Sequence, residues 1–319
     1  PGCVRNGATV CVEMMMADFN HFLADKDLSR EQLLRLIDKA RDIKARPRSY
    51  AQALSGKSIV MLFEKPSLRT RVTFDIGINK LGGHAVYLDQ QNGALGVRES
   101  VRDFGANISQ WADGIVARVF QQHTLDELVI GGSVPVVNAL SDLYHPCQAL
   151  ADFMTLTEVV GDPTKVKLAY IGDGNNVTHS LMHFAARLGA DMVVCCPRGH
   201  SVDGQVVVEA QQLNAESGGS LVVTSDLAAL EGVDAIYGDT WVSMGDTTPY
   251  EQVMDTFMPY QVNEALIKRS GARFYLHCQP AHREMEVTSA VMDGPQSVIL
   301  PQAQNRMWAQ NAVLIELLG

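Results

Sequence analysis

Ser58-Ile59-Val60-Met61-Leu62-Phe63-Glu64-Lys65-Pro66-Ser67-Leu68-Arg69-Thr70-Arg71 is the stretch on which the fold turns. Its first six residues form a short apolar run, the mark of a buried strand. Glu64-Lys65-Pro66 breaks the run, and a helix over 68–81 follows, halted by Gly82-Gly83. Residues 84–88 read as the next strand. Strand, helix, strand at this spacing is a unit of a parallel sheet.

The pattern extends in both directions. Upstream, Ser29 caps a helix over 29–44, whose apolar face is Leu33, Leu34, Leu36, Ile37, Ala40 and Ile43. Downstream, helices are expected over 101–111, 125–130 and 146–160, and strands over 114–119 and 134–138. Gly161-Asp162-Pro163 interrupts the alternation, which then restarts. Strands are expected over 166–171, 192–196, 221–224, 235–237 and 274–277, and helices over 177–188, 204–217 and 304–318. The fold class is α/β, with two doubly wound parallel-sheet domains joined near the helix that begins at Pro146. Residues 240–259 have little periodicity and read as a mobile loop.

Composition narrows the function. The 319 residues are 46% hydrophobic and 19% charged, with a net charge of −10. That balance suits a globular enzyme of two domains and argues against non-specific nucleic-acid binding. Six cysteines without a CxxC pair fit a reducing compartment, and no apolar stretch approaches membrane-spanning length. A cytoplasmic location is expected. Residues 1–16 lack a signal-peptide core and read as a poorly ordered extension or as residues added to the native chain.

Six groups of residues stand out. Ser67, Leu68, Arg69, Thr70 and Arg71 lie where a strand hands over to a helix. Helix-start amides, two hydroxyls and two guanidinium forks there suit a phosphate better than they suit a capped surface helix. His145 and Gln148 are three apart at a helix start and can face one ligand, without the neighbours a metal site needs. Gly172-Asp173-Gly174-Asn175-Asn176 resembles the opening of a dinucleotide fingerprint, but Val177 holds the third glycine position. Asp239 ends a strand, either as part of a surface loop or as a receiver for a substrate ammonium. Cys278, in His277-Cys278-Gln279-Pro280, is open to reading as nucleophile, ligand or packing. Arg306 opens the last helix and adds a phosphate partner.

Taken in this order from about His21 onward, these motifs resemble the transcarbamylase family, and within it the ornithine carbamoyltransferases. The resemblance rests on 63–71, Ala117-Arg118-Val119, His145-Pro146-Cys147-Gln148, 172–176, Asp239 with Ser243-Met244-Gly245, His277-Cys278 and Asn305-Arg306. It implies transfer of the carbamoyl group of carbamoyl phosphate to ornithine, giving citrulline, with no cofactor or metal. Ser67, Leu68, Arg69, Thr70, Arg71, Arg118, His145, Gln148, Cys278, Gln279 and Arg306 are then the carbamoyl-phosphate residues. Asn176, Asp239, Ser243 and Met244 hold ornithine. Arg118, His145, Asp239 and Cys278 are the catalytic set.

The implied domains are 17–148 with 303–319 for carbamoyl phosphate, and 149–302 for ornithine, the last helix returning to the first domain. Trimers or multiples of them are implied, together with a cis Gln279–Pro280 bond. Ala94 stands where relatives often place a Gln that reaches a neighbour's phosphate. The rival readings are a carbamoyltransferase for putrescine or an acylated ornithine, a dinucleotide oxidoreductase and a non-catalytic paralogue.

Overall fold

The structure, a computed structural model, describes residues 19–89, 95–242 and 248–319. The extension expected over 1–16, together with Ala94, Ser243 and Met244, lies outside the described residues. The strands are β1 (Ser58–Phe63), β2 (His84–Asp89), β3 (Gly114–Arg118), β4 (Val136–Leu140), β5 (Lys167–Ile171), β6 (Asp191–Cys195), β7 (Ser220–Thr224), β8 (Ala235–Gly238) and β9 (Phe274–His277). The helices are α1 (Arg30–Ala45), α2 (Leu68–Lys80), α3 (Val101–Ile108), α4 (Gln122–Gly131), α5 (Pro146–Val160), α6 (Asn176–Leu188), α7 (Gly204–Ser217), α8 (Tyr250–Phe257), α9 (Glu264–Ser270), α10 (Ser289–Met292) and α11 (Ile299–Leu318).

β2-β1-β3-β4 is the order of the first sheet and β7-β6-β5-β8-β9 that of the second, with every pairing parallel. Each sheet starts in its interior, grows one way and then reverses. The reversals fall between β1 and β3 and between β5 and β8. The crevice beyond the carboxyl ends of such a strand pair is where open α/β sheets bind ligands.

Strand side chains alternate between two layers. Ile59, Met61 and Phe63 enter the large core, while Leu62 joins Ile115, Ala117 and Val119 beneath α4. In the second sheet, Leu168 and Tyr170 enter the same large core, and Ala169 and Ile171 pack toward Leu266, Ile267 and Val291 of α9 and α10. One core therefore spans both sheets. α5 runs through it, with Pro146 at its first turn, Gly161 (φ 104) ending it and every residue from Pro146 to Thr157 buried.

The last helix returns to the first domain. Its approach is anchored on the second sheet, where Val298 N donates to Tyr275 O at 2.9 Å. α11 then packs on α5, α1 and α2. It begins at Ile299 rather than near residue 304, because Pro301 sits in the first turn, where a missing N–H costs no helical bond.

The stretch 240–259, expected as a loop, contains α8. Val253 and Phe257, one turn apart, pack with Trp241 into a separate small apolar cluster. A patch this short leaves almost no periodic trace in the sequence. α9 was also missed, although Asn263 caps it by accepting from Leu266 N at 3.0 Å.

Candidate active site

β1 delivers Ser67 to the start of α2, where its Oγ accepts from Thr70 N at 3.3 Å. Leu68 and Arg69 are exposed on the first turn, and Thr70 points inward and is buried. Arg118 ends β3, in register with Phe63 of β1, so its guanidinium emerges beside the same helix start. Arg118 Nη1 donates to Thr70 Oγ1 at 3.4 Å. Arg306, from α11, reaches the same hydroxyl through Nη2 at 3.2 Å. That Nη2 also lies 3.1 Å from His145 Nε2, and Nη1 donates to Gln148 Oε1. Arg118 and Arg306 thus meet at Thr70, and Arg306 ties that hydroxyl to His145 and Gln148 of the α5 start.

Burial and charge define what this cluster accepts. Burial and then Arg306 lower the Arg118 pKa to about 10. Burial, Arg306 and Arg118 hold the His145 imidazole well below its usual range, so it is neutral. Burial and Arg118 also lower Lys65, which lines the same cleft. The two facing guanidiniums disfavour each other's charge, and an anion between them relieves the conflict. The α2 N-terminus adds its dipole to the same spot.

The second sheet supplies the opposite wall. Asp239 follows β8, and its Oδ1 accepts from the Cys278 thiol at 2.9 Å and from Thr240 N at 2.8 Å. Its Oδ2 accepts from Asn175 Nδ2 at 2.7 Å. Burial and then the Asp239 charge push Cys278 well above the usual thiol range, so it is a protonated thiol. Asn175 also caps α6, its Oδ1 accepting from Val177 N at 2.9 Å and Thr178 N at 3.2 Å. Gly174 is required here: a Cβ would stand 2.4 Å from Val202 N. Asn176 lines the cleft and donates from Nδ2 to Ser141 O at 2.6 Å. The Gln279–Pro280 bond is cis, with Gln279 at φ 59.

A cavity of about 330 Å³ joins the two walls. Ser67, Leu68, Arg69, Thr70, Arg118, His145, Gln148, Asn176, Asp239, Cys278, Gln279 and Arg306 all line it. Arg71 does not. One step further round α2 than Thr70, it faces away, with its guanidinium 3.7 Å from the centre of the Tyr87 ring.

Reading the sequence missed Lys65, Ser141, Asp142, His179 and Thr240 as cavity lining. Ser141 and Asp142 sit in the polar segment just before His145, and that position is the one signal that marks them. Among the described residues, no group of three His, Cys, Asp or Glu stands close enough to hold a metal ion.

Two parallel-sheet lobes, meeting at their switch points over a cationic basin and a facing carboxylate, are the architecture of a two-lobed α/β transferase. The chain belongs to the aspartate/ornithine carbamoyltransferase family: residues 20–158 match its carbamoyl-P binding domain and residues 164–317 its Asp/Orn binding domain. The ornithine carbamoyltransferase of Shewanella oneidensis is 64% identical over 93% of this chain and 99% of its own length. That of Moritella profunda is 62% identical over the same shares. The solved ornithine carbamoyltransferase of Pyrococcus furiosus superposes with a TM-score of 0.90 at 42% identity, covering 94% of this chain and 97% of that one. The family sets aside the dinucleotide reading, in keeping with α6, whose first amides are taken by Asn175 rather than left for a pyrophosphate.

Proposed function

We propose that the chain transfers the carbamoyl group of carbamoyl phosphate to the side-chain amine of L-ornithine, giving L-citrulline and phosphate, a step of arginine biosynthesis. The observation that carries this is the convergence of Arg118 and Arg306 on Thr70 at the start of α2, with His145 against Arg306, across a cleft from Asp239 and Cys278.

The phosphate goes to Ser67, Arg69, Thr70 and the Leu68 N–H, at the helix N-terminus. Thr70, Arg118 and His145 take the carbamoyl oxygen. Gln148 and the carbonyls of Cys278 and Gln279 take the carbamoyl NH2, and Arg306 closes the group. Asn176, Asp239, Ser243 and Met244 hold ornithine. These assignments divide the chain into a carbamoyl-phosphate domain (17–148 with 303–319) and an ornithine domain (149–302).

The chemistry follows from the two walls. A Lys-like amine has a pKa of about 10.4 and must lose a proton before it attacks. The Asp239 carboxylate, which the Cys278 thiol holds in place by donating to it, stands where that proton leaves. The new C–N bond forms as the carbonyl oxygen gains charge, and the C–O bond to phosphate then breaks. Arg118 and neutral His145 stabilise that oxygen, each donor contributing roughly 2.7–4 kcal/mol to lowering the barrier. Holding both substrates in one cleft supplies much of the rest.

The working unit is a homotrimer or a multiple of it, on the family resemblance. A cytoplasmic location accords with the described cysteines, Cys147, Cys195, Cys196 and Cys278, which are all free thiols.

The deciding experiment measures citrulline formation from carbamoyl phosphate with ornithine, and product formation in parallel with putrescine, N-acetylornithine and aspartate. Turnover is expected with ornithine and not with the others. No turnover with ornithine overturns the proposal.

A further inference from the structure

Asp152 lies on α5, one turn beyond Gln148, with no exposure to solvent and no place in the cavity lining. Its Oδ1 accepts two side-chain amides, Gln148 Nε2 and Gln302 Nε2, each at 2.7 Å. An oxygen that already takes two N–H groups can only accept, so both glutamines must turn their nitrogens to it. Their oxygens therefore point the other way. Gln148 Oε1 faces Arg306 and the cleft. Gln302 Oε1 accepts the backbone N–H of His277 at 2.9 Å, and His277 Nδ1 accepts from Gln279 N at 2.9 Å.

We infer that Asp152 is a positioning residue for the carbamoyl end of the substrate: it locks the Gln148 amide so that an oxygen, not an NH2, meets the carbamoyl nitrogen. This rests on the carbamoyl-phosphate reading above. The two ends of a glutamine amide are nearly the same shape, so packing alone does not choose between them; the hydrogen-bond partners do. A flipped Gln148 would set its NH2 against Arg306 and against the carbamoyl NH2, three donors with no acceptor among them. Through Gln302, the same carboxylate steadies the turn that carries Cys278 and Gln279. One side chain thus ties α5, α11 and the end of β9 to the group being transferred.

The test measures KM for each substrate and kcat in wild type, D152L, D152N, Q148E and Q148E/D152N. D152N keeps an acceptor oxygen for both amides and keeps most of the affinity for carbamoyl phosphate. D152L removes the acceptor and frees Gln148 to turn. Its KM for carbamoyl phosphate rises on the order of tenfold or more, the loss expected of a hydrogen bond to a charged group. Its KM for ornithine stays close to wild type.

Q148E alone sets one carboxylate against another. Adding D152N replaces that repulsion with a donor and recovers carbamoyl-phosphate affinity. Thermal unfolding checks that D152L folds; if it does not, the recovery in the double variant decides. An unchanged KM for carbamoyl phosphate in D152L, equal damage in D152N and D152L, or a double variant no better than Q148E each overturns the inference. Any of these with active wild type leaves the function standing, whereas wild type that forms no citrulline overturns the function and this inference with it.

Discussion

The thiol of Cys278 donates to Asp239 Oδ1 at 2.9 Å, joining the end of β9 to the end of β8 across the floor of the cleft. The carboxylate has a second duty, since its Oδ2 accepts from Asn175 Nδ2 at 2.7 Å. Because Asp239 helps to keep Cys278 protonated, removing its charge releases the thiol. D239N is expected to react with iodoacetamide at pH 8 faster than wild type, by about tenfold for each pKa unit lost. Equal or slower labelling would sink the pairing. D239N also weakens ornithine far more than carbamoyl phosphate.

Arg306 makes three contacts with one planar fork, to Gln148, Thr70 and His145. An ammonium is a single point and cannot span that set. R306K is expected to retain its fold and lose about tenfold to a hundredfold in kcat/KM for carbamoyl phosphate, the loss of one or two charged hydrogen bonds. Steady-state kinetics with near-normal activity would show that the fork is not needed.

Arg69 is exposed at the mouth, with no part in that buried cluster. R69A raises KM for carbamoyl phosphate by roughly tenfold and leaves KM for ornithine almost unchanged. Equal loss for both substrates would move the phosphate elsewhere.

Neutral His145 gives a prediction about pH. Its pKa lies well below the usual histidine range, because burial and two arginines oppose its charge. The profile of kcat/KM for carbamoyl phosphate therefore carries no inflection from His145 between pH 6 and 8. H145A lowers kcat on the order of a hundredfold to a thousandfold, the effect of losing an oxyanion donor. An inflection near the ordinary histidine value that H145A abolishes would contradict the neutral assignment.

Asp25 gives a stability prediction. It is fully buried, and burial lifts its carboxyl to about 8, against about 3.9 in an unfolded chain. Between those values the folded chain keeps a proton that the unfolded chain has lost, so this group's contribution to stability falls as pH rises from about 4 to 8. D25N has nothing to titrate. It should match wild type near pH 4 and exceed it at pH 8 by a few kcal/mol, read as a rise in melting temperature. A constant difference at both pH values would rule out this cause.

Where local signals were strong, the sequence was legible. Pro146 at a first turn and Gly161 beyond the last bound α5 on both sides, and the apolar run 59–63 could only be a buried strand. The phosphate turn, His145 with Gln148, Asp239 and Cys278 all line one cleft because each sits at a strand end or a helix start, where parallel sheets open. Arg71 was read with its neighbours by proximity along the chain, but one residue around a helix turns a side chain by about 100°. Asp152 and Gln302 gave no signal, since a buried carboxylate between two amides is visible only once α5 and α11 are side by side. α8 escaped for a related reason: Trp241, which holds it, lies outside the helix.

The path of α11 has a consequence for how such a molecule can be cut or recombined. Thr70, Arg118 and His145 come before Gly161-Asp162-Pro163, and Arg306 comes long after it. A gene divided at that break yields two pieces, neither of which holds the full cationic basin. Turnover would therefore report the reunion of the halves. Chimeras that exchange one sheet between relatives would inherit a mismatched seam unless the final helix travelled with the partner it touches.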